Sequence, residues 1–392
     1  MSVATALSSD HTRRRRLLFL VTEDWYFWAH RLHLARAARD AGYEVVIATR
    51  VGSLGAEIAA EGFRLEPLSW KRGSINPLRL LLDLVTIVQL YRRVRPDIVH
   101  HVSLKPIVLG TAAAKLMPNI PVLNALTGRG YIFTARSLRA RALAPIISLL
   151  LGMLLRGRNT VSLLENEDDQ RFLIDTLGVA AEHTAVNQGS GVDIRRFQVL
   201  PMPPSEPVTI GCAARMVGIK GIADLVAASR ILRTRNVTHR LVLAGATDRE
   251  NPDAISERTL RDWACDGVVC LGQIPDVREL WRQCHIAALA SLGGEGVPLS
   301  LVEAAACGRP LVATDVPGSR DIAQAQINAL LAPPRSPQLL ADALERLVRN
   351  QALREKFAAE SRRIAESMFS LDHVLAATLA LYDRLLRRTT GV

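Results

Sequence analysis

The 392-residue chain is long enough for two domains of ordinary size, and with 49% hydrophobic residues each domain can bury a full core. Its 49 Lys and Arg against 38 Asp and Glu leave a net charge of +11, which favours an anionic partner: nucleic acid, a phospholipid surface or a phosphorylated substrate. Five cysteines with no CxxC pair exclude a zinc ribbon or a disulfide framework, and no run of about 18 uncharged apolar residues is present to cross a bilayer.

The first residues, MSVATALSSDHTRRRR, lack the apolar core of a signal peptide and read as a flexible basic tail over 1–16. From Leu17 the chain alternates apolar runs with amphipathic stretches. LLFLV (17–21) precedes a helical pattern from His30 to Ala41, then YEVVIAT (43–49) follows. A helix is expected after Asn76-Pro77, then strands at DIVHHV (97–102), PVLNAL (121–126) and TVSLL (160–164). This βαβ rhythm predicts a parallel sheet covered on both faces over residues 17–200. Within it, ALAPIISLLLGMLL (142–155) is nearly all apolar and is flanked by Arg136, Arg139, Arg141, Arg156 and Arg158. It is too short to span a bilayer and reads either as a core helix or as an interfacial one drawn to an anionic leaflet.

The proline cluster PMPPSEP (201–207) marks a linker, after which the rhythm restarts with VTIGCA, RLVLAG, GVVCLG, HIAALA and PLVAT. A second Rossmann-like domain is therefore expected over 207–365. A closing helical segment, 366–392, is expected to return to the first domain. Two such sheets facing each other leave a cleft between the carboxyl ends of their strands, where ligands of doubly wound sheets bind.

Candidate chemistry concentrates at those strand ends. EGVPLSLVEAAACG (295–308) is a strand-to-helix loop and helix carrying Glu295 and Glu303. Ser300 and Glu303 have the spacing of a capping box, which is the plain reading of Glu303. The sharper one has both carboxylates accepting hydrogen bonds from sugar hydroxyls while the helix-start amides face an anion. In ARMVGIKG (214–221), Arg215 and Lys220 lie beside another helix start, an arrangement suited to a diphosphate. On the first domain, His30 and Lys105 lie near strand ends, and the adjacent His100 and His101 point to opposite sheet faces. The Gly128-Arg129-Gly130 turn is a weak phosphate signal.

These segments together resemble the family 4 glycosyltransferases of the GT-B fold. The resemblance rests on EGVPLSLVEAAACGRPLVATDVPG with its two glutamates separated by seven residues, on ARMVGIKG, and on GSGVDIRRF (189–197). PDIVHHVSLKPIVLGTAAAKL, NALTGRGYIF, DRENPDAI and GVVCLGQIPDV resemble the branch that adds hexoses or N-acetylhexosamines to polyprenyl-diphosphate-linked glycans. The resemblance implies an α/β enzyme of two Rossmann-like domains facing each other across a cleft, with C-terminal helices. It implies a retaining transfer from a nucleotide sugar, UDP in the first instance, to a lipid-linked acceptor, without metal or other cofactor and without nucleic acid. The place implied is the inner face of the cytoplasmic membrane, against its anionic surface. Arg215 and Lys220 would hold the donor diphosphate, Glu303 the ribose, and Glu295 the transferred sugar. Gly294, Gly296, Leu299, Ser300, Thr127, Gly128, Lys105 and His30 would line the substrate.

The chain departs from the family at three places. Pro298 stands where many relatives have glycine, leaving the amides of Leu299 and Ser300 to face phosphate. Gly294 and Leu299 stand where the favoured branch commonly has arginines. Thr127 stands where many relatives have histidine. A non-catalytic relative and a sugar-nucleotide 2-epimerase are the alternatives on the same plan; the second lacks acidic and histidine catalysts at matching places.

Overall fold

The computed structural model describes residues 13–74, 76–117, 119–128, 138–204 and 206–390. Two wholly parallel sheets account for its strands. The first has β1 (Arg16–Glu23), β2 (Glu44–Arg50), β3 (Arg64–Pro67), β4 (Ile98–Val102), β5 (Val122–Leu126), β6 (Thr160–Leu164) and β7 (Thr184–Val186), in the order β3-β2-β1-β4-β5-β6-β7. The second has β8 (Val208–Ala213), β9 (His239–Ala244), β10 (Val269–Cys270), β11 (Ile286–Leu289), β12 (Leu311–Thr314) and β13 (Ala329–Ala332), in the order β10-β9-β8-β11-β12-β13. The strand order reverses beside β1 and β8, so a crevice opens at the carboxyl ends of each.

The central strands are apolar throughout because both faces are covered: Leu17 to Val21 in β1 and Ile286 to Leu289 in β11 are buried. Arg16, read as the end of the tail, opens β1 instead. Its amide donates to Asp97 at 2.6 Å and its side chain to Glu44 at 2.7 Å, tying the strand start to both neighbours. The tail residues 1–12 lie outside the described residues.

Among the described residues, eight α-helices belong to the first stretch of chain or cross to it: α1 (Asp24–His30), α2 (Leu32–Asp40), α3 (Gly55–Ala60), α4 (Pro77–Val94), α5 (Leu104–Lys115), α6 (Leu138–Leu155), α7 (Glu167–Asp175) and, from the far end of the chain, the helix Leu371–Thr390. Helix α4 starts as expected, with Asn76 accepting from the Arg79 amide and Pro77 in its first turn. Helix α5 packs beside both α4 and α6 on one face of the sheet. The opposite face is closed by α2 and by Tyr382, Leu385 and Leu386 of the terminal helix. Tyr382 OH meets His100 Nδ1 at 2.6 Å, and Asn187 donates to the Val374 carbonyl at 3.0 Å.

Helix α6 fits neither reading of its sequence entirely. Leu151, Leu154 and Leu155 are buried, whereas Ile146, Leu149, Leu150 and Met153 point outward. Helix α4 does the same with Leu78, Leu81, Leu82 and Val85. Both exposed sets follow the i, i+3, i+4, i+7 spacing of a single helix face. Of the flanking arginines, Arg136 and the side chains of Arg139 and Arg141 lie outside the described residues. No helix is long and apolar enough to cross a membrane among the described residues.

The linker is pinned by Arg309, fully buried, which donates to the Trp281 carbonyl at 2.9 Å and the Pro201 carbonyl at 2.8 Å. The remaining helices of the second half are α8 (Ile222–Thr234), α9 (Glu257–Cys265), α10 (Arg278–Gln283), α11 (Leu299–Ala306), α12 (Ser319–Ile322), α13 (Pro337–Arg349) and α14 (Gln351–Met368), which makes the terminal helix α15.

Substituting Tyr382→Phe removes the hydroxyl that pairs with His100 inside the core, an unmade buried hydrogen bond that costs about 1–3 kcal/mol. The expected result is a lower melting temperature; an unchanged melt would show that α15 holds the first sheet without this bond.

Candidate active site

The site is assembled from loops at the carboxyl ends of β8, β11, β5 and β6. Beyond β8 the chain runs through Arg215 into a single 3-10 turn, Gly218–Lys220, before α8. Gly221 joins them at φ 65°, and a Cβ there would overlap the Ala290 carbonyl of the β11 loop. Only glycine fits this left-handed position against a neighbouring backbone. The turn delivers the Lys220 ammonium onto Glu295 Oε2, and Ser291 Oγ donates to Glu295 Oε1 at 2.5 Å.

Helix α11 begins at Leu299 with Pro298 as N-cap and no side-chain cap. The capping box expected of Ser300 and Glu303 does not form, because the helix already begins at Leu299 and Ser300 lies inside its first turn instead of at the N-cap. The amides of Leu299 and Ser300 therefore have no hydrogen-bond partner among the described residues. They open toward the cleft end of the helix, where the partial positive charge of its dipole lies.

Across the cleft, the Thr127 carbonyl accepts from the Gly296 amide at 3.2 Å. Gly128 has φ 112°, and a Cβ on it would collide with the Gly294 carbonyl. Gly294 itself has φ 79°. Arg129 and Gly130 of the expected phosphate turn lie outside the described residues.

His30 ends α1 rather than starting a helix. It stacks on Tyr26 with ring centres 4.3 Å apart and meets Ser190 Oγ at 3.2 Å. Burial first, then the charges of Arg31, Lys220 and Arg215, push its imidazole down to about 3. It is thus a neutral hydrogen-bonding group close to Lys220 and Arg215.

Lys105 is not at the site. Its ammonium pairs with Asp83 at 2.8 Å, donates to the Lys71 carbonyl at 2.7 Å and lies over the Trp70 ring. These partners hold it against α4 and the segment before it. His101 is likewise a core residue, between Tyr91 OH at 2.7 Å and Asn124 Oδ1 at 2.8 Å.

Several site residues were not singled out in the sequence. Asp248, in the loop after β9, takes Arg215 from its own domain at 2.7 Å and Arg72 from the other at 2.8 Å. Arg215 also lies over Trp25 of α1, 5.7 Å from the ring centre. Glu165 accepts from the Val297 amide of the β11 loop at 3.0 Å, and Arg31 lies 3.7 Å from its other oxygen. The one signal for this set is position: Asp248, Arg72, Trp25 and Glu165 each follow a strand, whereas Arg31, between α1 and α2, carries no such mark.

Residues 16–159 match the family described as glycosyl transferase 4-like, and residues 207–350 match glycosyl transferases group 1. The chain is a family 4-like, GT-B glycosyltransferase. It is 23% identical over 388 residues to the N,N'-diacetylbacillosaminyl-diphospho-undecaprenol alpha-1,3-N-acetylgalactosaminyltransferase of Campylobacter jejuni, covering 95% of this chain and 99% of that one. Among solved structures it is similar to a glycosyltransferase from Rickettsia africae, with TM-score 0.76, 18% identity and coverage of 96% and 99%. The Anabaena protein HepE, solved in complex with UDP, gives TM-score 0.75 at 18% identity, covering 94% of this chain and all of that one, 100%.

In this glycosyltransferase Glu303 lies one helical turn into α11, half-buried and without a hydrogen-bond partner among the described residues. Burial raises its carboxyl from 4.5 to about 8, outweighing the opposing pull of Arg196. Between those two values the unfolded chain has released a proton that the folded one keeps. The empty enzyme therefore loses stability as pH rises from about 4.5 toward 8 and levels off above that. Glu303→Gln cannot ionise, so its melting temperature should gain on that of the wild type between about pH 5 and pH 8. A difference that stays constant across that range would mean that the Glu303 carboxyl is not raised.

Proposed function

We propose that this glycosyltransferase is a retaining family 4 enzyme that moves a hexose or N-acetylhexosamine from a UDP-sugar to a polyprenyl-diphosphate-linked acceptor. It would work in cell-surface polysaccharide synthesis, at the inner face of the cytoplasmic membrane. The observation that carries this reading is that Lys220 rests on Glu295 in the loop that leads into α11, whose first amides, of Leu299 and Ser300, have no partner among the described residues, while Arg215 from the same β8 loop is held on Asp248. Breaking the bond from the sugar carbon to the diphosphate leaves negative charge on the departing oxygen. Two cations and a helix start meet that charge without a metal ion. Lys220 exchanges Glu295 for the phosphate, which frees the Glu295 carboxylate for sugar hydroxyls; Arg215 makes the same exchange with Asp248. Glu303 accepts from the ribose hydroxyls. His30, neutral and facing both cations, offers a hydrogen bond on the acceptor side. The substrate of the Campylobacter relative, a diphospho-undecaprenol-linked sugar, supports the acceptor class, and the HepE complex supports UDP.

The test is release of nucleoside diphosphate from a panel of UDP-, GDP- and dTDP-sugars with a lipid extract as acceptor. Turnover of one donor is expected only with the extract, reduced about a hundredfold or more in Lys220→Ala, and also lost in Glu303→Ala. Binding of UDP with no turnover of any donor would instead support a non-catalytic relative.

Membrane contact has its own support. The outward leucine faces of α4 and α6 flank α5 on one side of the first sheet, with Leu116 exposed at the α5 end and the exposed cations Lys115, Arg156 and Arg158 around them. Apolar faces ringed by cations suit an anionic leaflet. The double variant Leu82→Glu/Leu149→Glu should lose co-sedimentation with phosphatidylglycerol vesicles while keeping turnover of a short-chain acceptor. Vesicle binding equal to the wild type would remove this face from the reading.

A further inference from the structure

Glu165 follows β6, at the carboxyl edge of the first sheet, yet its carboxylate serves the second domain. Its Oε2 accepts from the Val297 amide at 3.0 Å, two residues beyond Glu295. Its other oxygen lies 3.7 Å from the Arg31 guanidinium. Arg31 donates to the His30 carbonyl at 3.0 Å and to Ser190 Oγ at 3.1 Å, and Ser190 lies on the chain leading from the first sheet toward the second. One buried thread thus joins the acceptor side, the interdomain connection and the donor loop.

The thread is a poor device for stability alone. Burial pushes the Glu165 carboxyl up to about 7 against the pull of Arg31, and Arg31 Nε is buried without a partner. Removing a carboxylate and a guanidinium from water costs about as much as their attraction returns, more so when hydrogen bonds are left unmade. What the pair does supply is position. With the Gly296 amide on Thr127 and the Val297 amide on Glu165, the first domain sets the orientation of the loop that carries Glu295. Gly296 has no room for more, because a Cβ on it would overlap the Glu165 carboxylate.

We infer that Glu165, oriented by Arg31, is a positioning residue that latches the donor-sugar loop to the first domain and so sets Glu295 for the transferred sugar. This rests on the donor-site reading above. Glu165 touches the loop backbone and acts on the sugar through Glu295.

The latch is tested by a cycle of Glu165→Ala, Glu165→Gln, Gly296→Ala and the Glu165→Ala/Gly296→Ala pair. Glu165→Ala is expected to lower kcat/KM for the donor by about tenfold to a hundredfold, the worth of one charge-assisted bond, while UDP, which lacks the sugar, binds within about twofold. Glu165→Gln keeps an oxygen for the Val297 amide and should recover most of the loss, which a general loss of packing would not allow. Gly296→Ala should cost much in the wild-type background and clearly less beside Glu165→Ala, because the overlapping carboxylate has gone and only the Cβ of residue 165, at 3.0 Å, remains. Losses that simply add, or a glutamine no better than alanine, would overturn the latch. Scattering of X-rays in solution separates this from the donor reading. If no donor is turned over, the site reading fails, but Glu165→Ala should still show a larger radius of gyration than the wild type; equal radii would overturn the latch itself.

Discussion

Two loop backbones meet across the cleft with no side chain between them, and the rest of the site depends on that contact. Gly128 lies against Gly294, the Thr127 carbonyl takes the Gly296 amide, and Gly318 abuts the Gly296 carbonyl from the opposite side. Each place excludes a Cβ for a steric reason. Because the backbones are this close, groups from four strand ends reach one small volume. Arg215 of the second domain can rest on Trp25 of the first, and His30 can feel the charge of Lys220.

The charged groups of the site are paired with one another. Lys220 is paired with Glu295, and Arg215 with Asp248, so neither cation is free surplus charge. On the proposed reading, a diphosphate would have to exchange one partner for another inside a poorly solvated cleft, a process that selects for geometry more than for bare affinity. The net charge of the chain therefore says little about the site. Much of it lies on exposed arginines such as Arg158 and Arg171, where it steers and solvates.

The fold was legible because buried parallel strands are written as unbroken apolar runs, and TVSLL and VTIGCA stand where expected, as β6 and β8. The strands not foreseen, β3, β7 and β13, are three or four residues long and sit toward sheet edges, where half-exposed patterns such as RLEP carry no clear period. Helix α1 was missed because DWYFWAH is almost all aromatic and shows no polar face. At the site, Glu295, Glu303 and Lys220 were visible because a strand-to-helix loop is a local object. Glu165, Asp248 and Arg72 were not, since their meaning lies in partners more than a hundred residues away. The same blindness works in reverse for Lys105, whose partner Asp83 lies on a neighbouring helix.

The return of α15 to the first sheet ties the two ends of the chain into one core. Phe19 and Leu17 share a buried cluster with Tyr382, Leu385 and Leu386, yet the whole second domain is made between them. As the chain leaves the ribosome, the part of that face beyond what α2 covers stays open until α15 appears. The second domain thus completes its own core earlier, although it is made later. The N-terminal half waits with this strip of apolar surface uncovered, an exposure that favours association of unfinished chains during synthesis.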